Sequence, residues 1–77
     1  MKLIIRNLSR ITTAEELKVL FLEYGAVQSC TLVMDKATGV SKGFGFVELP
    51  KPGEAKAAMK NLNGKEIDGT KIRVKNT

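Results

Sequence analysis

The chain has 77 residues, which is room for one small domain with one modest core. It is 43% hydrophobic and 27% charged, with no apolar run near the roughly 18 residues of a membrane span; a net charge of +5 points to an anionic partner, nucleic acid before a membrane surface. The absence of histidine excludes most zinc sites and most general-base chemistry, and the single cysteine, Cys30, excludes an internal disulfide and fits a reducing compartment, here the cytoplasm.

The first element is a strand, "KLIIR" at 2–6. Its apolar run of three residues is too short for the apolar region of a signal peptide. "TTAEELKVLFLEYG" reads as a helix, because Leu17, Leu20, Phe21 and Tyr24 fall on one face at i, i+3, i+4, i+7. Thr13 is its N-cap, with Glu16 three residues on as capping-box partner, and Gly25 its stop. A second strand, "VQSCTLVM", occupies 27–34 and leads into a polar loop, "DKATGVS", that turns at Gly39. The third strand is 42–49. "PKPG" ends it and opens a second helix near Pro52, with Ala55, Ala58, Met59 and Leu62 on one face. "NLNG" closes that helix, Asp68–Gly69 is a hairpin-type turn, and "TKIRVK" at 70–75 is the last strand.

The order strand, helix, strand, strand, helix, strand is the split βαβ arrangement. It specifies an α+β, ferredoxin-like βαββαβ fold, a four-stranded antiparallel sheet with two helices packed on one face. Right-handed crossovers put both helices on the same side. No linker, internal repeat or low-complexity segment divides residues 1–77, so a single domain is expected.

The alternation of side chains then assigns the two faces of the sheet. The covered face takes Leu3, Ile5, Cys30, Leu32, Val47, Leu49, Ile72 and Val74. The open face takes Lys2, Ile4, Arg6, Ser29, Thr31, Val33, Lys42, Phe44, Phe46, Glu48, Lys71, Arg73 and Lys75. Gly43 and Gly45 fall toward the helices, where small residues allow close packing. The open face therefore holds six basic residues and one acid, which equals the whole surplus of +5, and it presents two of the three phenylalanines. Exposed rings set among cations match a surface that stacks bases and neutralises phosphates.

"KGFGFVEL" fits the octameric ribonucleoprotein pattern K/R-G-F/Y-G/A-F-V-x-F/Y at seven of eight positions, on the third strand where that pattern belongs. "LIIRNL", Leu3 to Leu8, resembles the hexameric motif on the first strand. On these motifs the chain resembles the RNA recognition motif family over nearly its whole length. In extent it is similar to the small single-motif proteins of bacteria, although a domain cut from a larger protein would look the same. The resemblance implies single-stranded RNA binding without catalysis: Phe46 stacks on a base, Phe44 packs on sugars or a neighbouring base, Lys42 contacts phosphate, and Asn7 is structural. The face count adds Lys2, Arg6, Lys71, Arg73 and Lys75 as electrostatic contacts. Ile4 stands where the family usually carries a ring, which removes one stacking platform. Leu49 replaces the octamer's final aromatic on the covered side and affects packing only. Asn76 and Thr77 are expected to help read base edges.

Other readings attach to the same residues. A peptide-binding module could use the same fold and rings, and the test is salt: RNA binding weakens with salt and an apolar contact does not. Single-stranded DNA needs no 2′-hydroxyl contact and is a variant of the main reading. An acyl-phosphate hydrolase on a ferredoxin-like fold lacks a nucleophile–base pair here. Cys30 is expected to be a small core residue, and Asp35 and Lys36 to be solvated loop charges. Gly43-x-Gly45 lacks a third glycine and a following helix, so it is no phosphate loop. No cofactor, metal or membrane is expected, and the domain is expected to be a monomer.

Overall fold

A computed structural model describes residues 1–77. The elements are β1 (Lys2–Arg6), α1 (Ala14–Leu22), β2 (Ser29–Met34), β3 (Ser41–Glu48), α2 (Pro52–Leu62), β4 (Glu66–Ile67), β5 (Thr70–Lys71) and β6 (Arg73–Asn76). β2, β3, β1 and β6 form one antiparallel sheet in that order, so β1 and β3 are its central strands. The expected α+β, ferredoxin-like architecture is the one observed.

Helix α1 starts as its sequence dictates. The Thr13 hydroxyl accepts the Glu16 amide at 3.1 Å, which satisfies one of the amides that a first helical turn leaves unpaired. α2 starts at Pro52, whose missing N–H costs nothing in a first turn. Leu17 and Phe21 of α1, and Ala55, Ala58 and Leu62 of α2, are buried against Leu3, Ile5, Val47, Leu49, Ile72 and Val74 of the sheet side. Both helices therefore cover one face. The third phenylalanine, Phe21, is at the centre of this core. Cys30 is half-buried on the same side; its thiol donates to the Ala14 carbonyl at 3.4 Å, and burial pushes its pKa up against the lowering influence of Lys18.

The end of the chain departs from the expected single strand at 70–75. Asp68 and Gly69 both have positive φ, 50° and 85°, so the turn folds the chain sharply back on itself. Thr70 and Lys71 then pair with Ile67 and Glu66, and only from Arg73 onward does the chain join β1. A two-residue strand carries too few positions for alternation to reveal it. The two glycines of β3 also need a different account. A Cβ on Gly45 would lie 2.5 Å from the Thr31 carbonyl oxygen of β2, and one on Gly43 would meet Leu8 and Arg10 of the β1–α1 loop. Their neighbours are thus a strand and a loop, not the helices. Gly43 also has φ 84° at an irregularity in the β2–β3 ladder, a conformation that suits glycine.

The Asp68–Gly69 turn docks on α1. The Thr12 hydroxyl donates to Asp68 Oδ2 at 2.7 Å, and the Glu16 carboxyl, when protonated, donates to the same carboxylate. That hydrogen bond, with lesser contributions from burial and the Asp68 charge, holds the Glu16 carboxyl above its ordinary 4.5. A raised carboxyl binds its proton more tightly in the folded chain. Its stabilising effect is therefore full below the ordinary value and is lost as pH rises through the raised one. Asp68→Asn keeps an acceptor for Thr12, tolerates positive φ and removes the like charge. We expect its Tm to exceed that of the wild type at neutral pH, with the gain shrinking toward pH 4.5. Thermal melts across that range check the sign.

Candidate nucleic-acid interface

The face of the sheet away from the helices is organised by strand register. Residues directly opposite one another in neighbouring strands share a face. Phe46 is opposite Ile4 on one side and Thr31 on the other, and Ile4 is opposite Lys75. One row across the sheet is thus Thr31, Phe46, Ile4, Lys75. The row beside it is Ser29, Glu48, Lys2. On the far side of the Phe46 row, Arg6 is opposite Arg73.

Phe44 and Phe46 are half-buried, with ring centroids 6.3 Å apart and planes at 85°. This edge-to-face contact fixes the rings relative to each other and is worth about 0.5–1.5 kcal/mol beyond burial. The Lys2 ammonium lies 4.9 Å from the centre of the Phe46 ring, a cation–π arrangement. Between β1 and β3 a shallow cleft of about 300 Å³ is lined by Ile4, Arg6, Asn7, Gly43 and Phe44. Asn7 closes β1 with φ 58° and its side-chain amide donates to the Lys71 carbonyl at 2.7 Å, which ties the strand end to β5.

The structure brings most of the expected site residues together. Lys2, Arg6, Arg73 and Lys75 are exposed on the open side, Ile4 is half-buried among them, and exposed Lys42 alternates with buried Ser41 and Gly43. Lys71 is exposed, but the turn at Asp68–Gly69 takes it off the four-stranded sheet and into the β4–β5 hairpin opposite Glu66. Glu48, absent from the expected set, stands on the open side two residues from Phe46 and is half-buried. Its parity placed it there, but a lone acid among cations gave no signal for a role. No group of acids, histidines or cysteines has metal-binding geometry. No helix is long and apolar enough to cross a membrane.

Known proteins share this fold and sequence pattern. A family model described as the RNA recognition motif matches residues 3–73. The chain is 47% identical over 76 residues to probable RNA-binding protein 19 of Mus musculus, covering 95% of this chain and 8% of the relative. It is 46% identical over 70 residues to the cleavage stimulation factor subunit 2 tau variant of Homo sapiens, covering 91% and 11%. The chain thus spans about a tenth of the length of the curated relatives it matches. Among solved structures, the crystal structure of RNA binding protein PG1 superposes with a TM-score of 0.94 at 39% identity, covering 97% of this chain and 90% of that one.

The two classes of phenylalanine should separate in stability. Phe21→Ala empties a fully buried site and should cost about 3–5 kcal/mol. Phe46→Ala removes a half-buried ring and its contacts with Phe44 and Lys2, and should cost no more than about 1–2 kcal/mol. Urea unfolding of the two variants beside the wild type measures the difference.

Proposed function

Since the chain belongs to the RNA recognition motif family, we propose that it binds single-stranded RNA through the open face of its sheet, without catalysis. The observation that carries this reading is the pair of rings on β3, held edge to face and ringed by Lys2, Arg6, Lys42, Arg73 and Lys75. Phe46 offers one ring face to a base. Phe44 packs against the adjoining sugar or base, and the cleft between Ile4, Arg6 and Phe44 receives the next nucleotide. Phosphates run past the cations. Lys71 acts from the hairpin at the margin of this surface. Asn76 and Thr77, at the end of the β6 edge, adjoin the path and help read base edges.

Stacking is tolerant of base identity, because every base has a π-face. It is equally tolerant of the sugar, so single-stranded DNA is the second ligand of this reading, and a DNA strand of the same sequence measures the weight of the 2′-hydroxyl. The domain acts as a monomer: a ligand needs the open face free, and two helices already cover the other. The lone half-buried thiol supports a reducing compartment, and the reading keeps the cytoplasm. The Mus musculus relative and the PG1 protein are both named as RNA-binding proteins. A complex of the Sex-lethal protein with RNA superposes with a TM-score of 0.94 at 30% identity, covering 99% of this chain and 46% of that one.

Titration with a short single-stranded RNA at several salt concentrations tests the reading. About three phosphates within reach of the open-face cations give a slope of log K against log salt of about −2, and Phe46→Ala should weaken binding by about 1–3 kcal/mol. Binding that is flat in salt and indifferent to Phe46 would favour a peptide ligand.

Ile4 offers a second test from the opposite direction. It is the cross-strand neighbour of Phe46 and has no π-face. Ile4→Tyr places a ring on a half-buried strand position that accepts tyrosine readily. Affinity for the same RNA should rise several-fold, roughly 1 kcal/mol, with the melting curve unchanged. Unchanged or weaker binding by a folded variant would take Ile4 off the RNA path.

A further inference from the structure

The surface just described explains affinity but not choice of base. Choice requires hydrogen-bonding groups at the rim of a stacking ring, where the edge of a stacked base comes to rest. The strand positions beside Phe46 carry two such groups of opposite kind. Glu48 is two residues farther along β3 on the same face, so its Cα lies roughly 7 Å from that of Phe46. It is the one acid on the open side of the four-stranded sheet, and it is half-buried. Lys2 is directly opposite Glu48 in β1, and its ammonium lies over the Phe46 ring. A carboxylate only accepts hydrogen bonds and an ammonium only donates them.

An acid on a surface that must hold phosphates costs affinity through like-charge repulsion. A role that offsets this cost is recognition of hydrogen-bond donors on a base. The four bases differ sharply in what they offer such a pair. Guanine presents two adjacent donors, N1–H and the 2-amino group, which suit both oxygens of one carboxylate, with the O6 acceptor beside them for an ammonium. Adenine and cytosine present one amino donor next to one ring-nitrogen acceptor. Uracil presents a single N3–H between two carbonyl oxygens, so the second carboxylate oxygen meets a carbonyl and is repelled.

We infer that Glu48, acting with Lys2, is the specificity-determining pair of the Phe46 platform, and that it selects guanine there and disfavours uracil. The inference rests on the RNA-binding reading above. A base arriving on Phe46 takes the ring face now covered by the Lys2 ammonium. The ammonium moves to the base's O6, and the carboxylate receives N1–H and the 2-amino group. Ser29, the other neighbour of Glu48, is exposed and leaves the base edge room.

The test uses the full chain and single-stranded uridine octamers in which one central residue is replaced in turn by guanosine, inosine, adenosine or cytidine. Wild-type protein should bind the guanosine octamer about tenfold more tightly than the all-uridine octamer, the scale of one bidentate base contact. Inosine, which lacks the 2-amino group, should lose most of that gain. Glu48→Gln should bind the all-uridine octamer as well as the wild type or better, because an anion has been removed, while its preference for guanosine falls to about twofold or less. Equal wild-type affinity for all five octamers would overturn the inference and leave RNA binding standing. A guanosine preference that survives in Glu48→Gln would also overturn it. Failure of every octamer to bind would overturn the RNA-binding reading and the inference with it.

Discussion

The register between β1 and β3 is the constraint on which everything else in this molecule depends. Leu3 opposite Val47 and Ile5 opposite Gly45 put the apolar positions of both central strands on the helix side. Ile4 opposite Phe46 and Lys2 opposite Glu48 put the ring, the aliphatic surface and the charges on the other. Because side chains alternate with a period of two, a slip of one residue would exchange the two sets and drive charges into the core. The fully buried Leu3, Ile5, Val47 and Leu49 make such a slip prohibitive. A fold choice made by the core thus fixes the composition of the opposite surface.

That surface has an internal logic of its own. Two helices suffice to cover one side of four strands, and the other side has to be stable in water while staying available. The cations meet both needs: they keep the face soluble, and the Lys2 ammonium lies over the ring of Phe46. The edge-to-face contact of Phe44 with Phe46 holds both rings in position, so on the proposed reading less freedom is lost when a base stacks. The glycines of β3 serve the same end. Gly45 lets β2 approach closely, and Gly43 takes the backbone conformation that seats the strand's start against Leu8 and Arg10.

Much of this was legible in the sequence because it is periodic. The face of α1 carrying Leu17 and Phe21, the Thr13 cap, the start of α2 at Pro52 and the alternate faces of Leu3, Ile4, Ile5, Phe46, Val47 and Val74 follow from spacing and residue type, and the structure has them. What spacing cannot carry was missed. The β4–β5 hairpin has two residues per strand, below the length at which alternation is visible, and its turn displaces Lys71 from the sheet. The neighbours of Gly43 and Gly45 are set by strand order and by the path of the β1–α1 loop, which are tertiary facts. The contact between Glu16 and Asp68 joins residues far apart in sequence, and no local pattern announces it. Glu48 was placed correctly by parity, but its meaning depends on which residue faces it across the strands.

The central claim is that one face of the sheet, set by the β1–β3 register, is the ligand surface. Its most direct measurement is an NMR titration of isotope-labelled protein with a short single-stranded RNA, following every backbone amide. The account predicts the largest shift changes along β1 and β3, centred on Ile4, Phe44 and Phe46 and extending to Lys75, with the exposed sides of α1 and α2 unchanged. Changes concentrated on α1, α2 or the β4–β5 hairpin, with Phe46 unmoved, would contradict it.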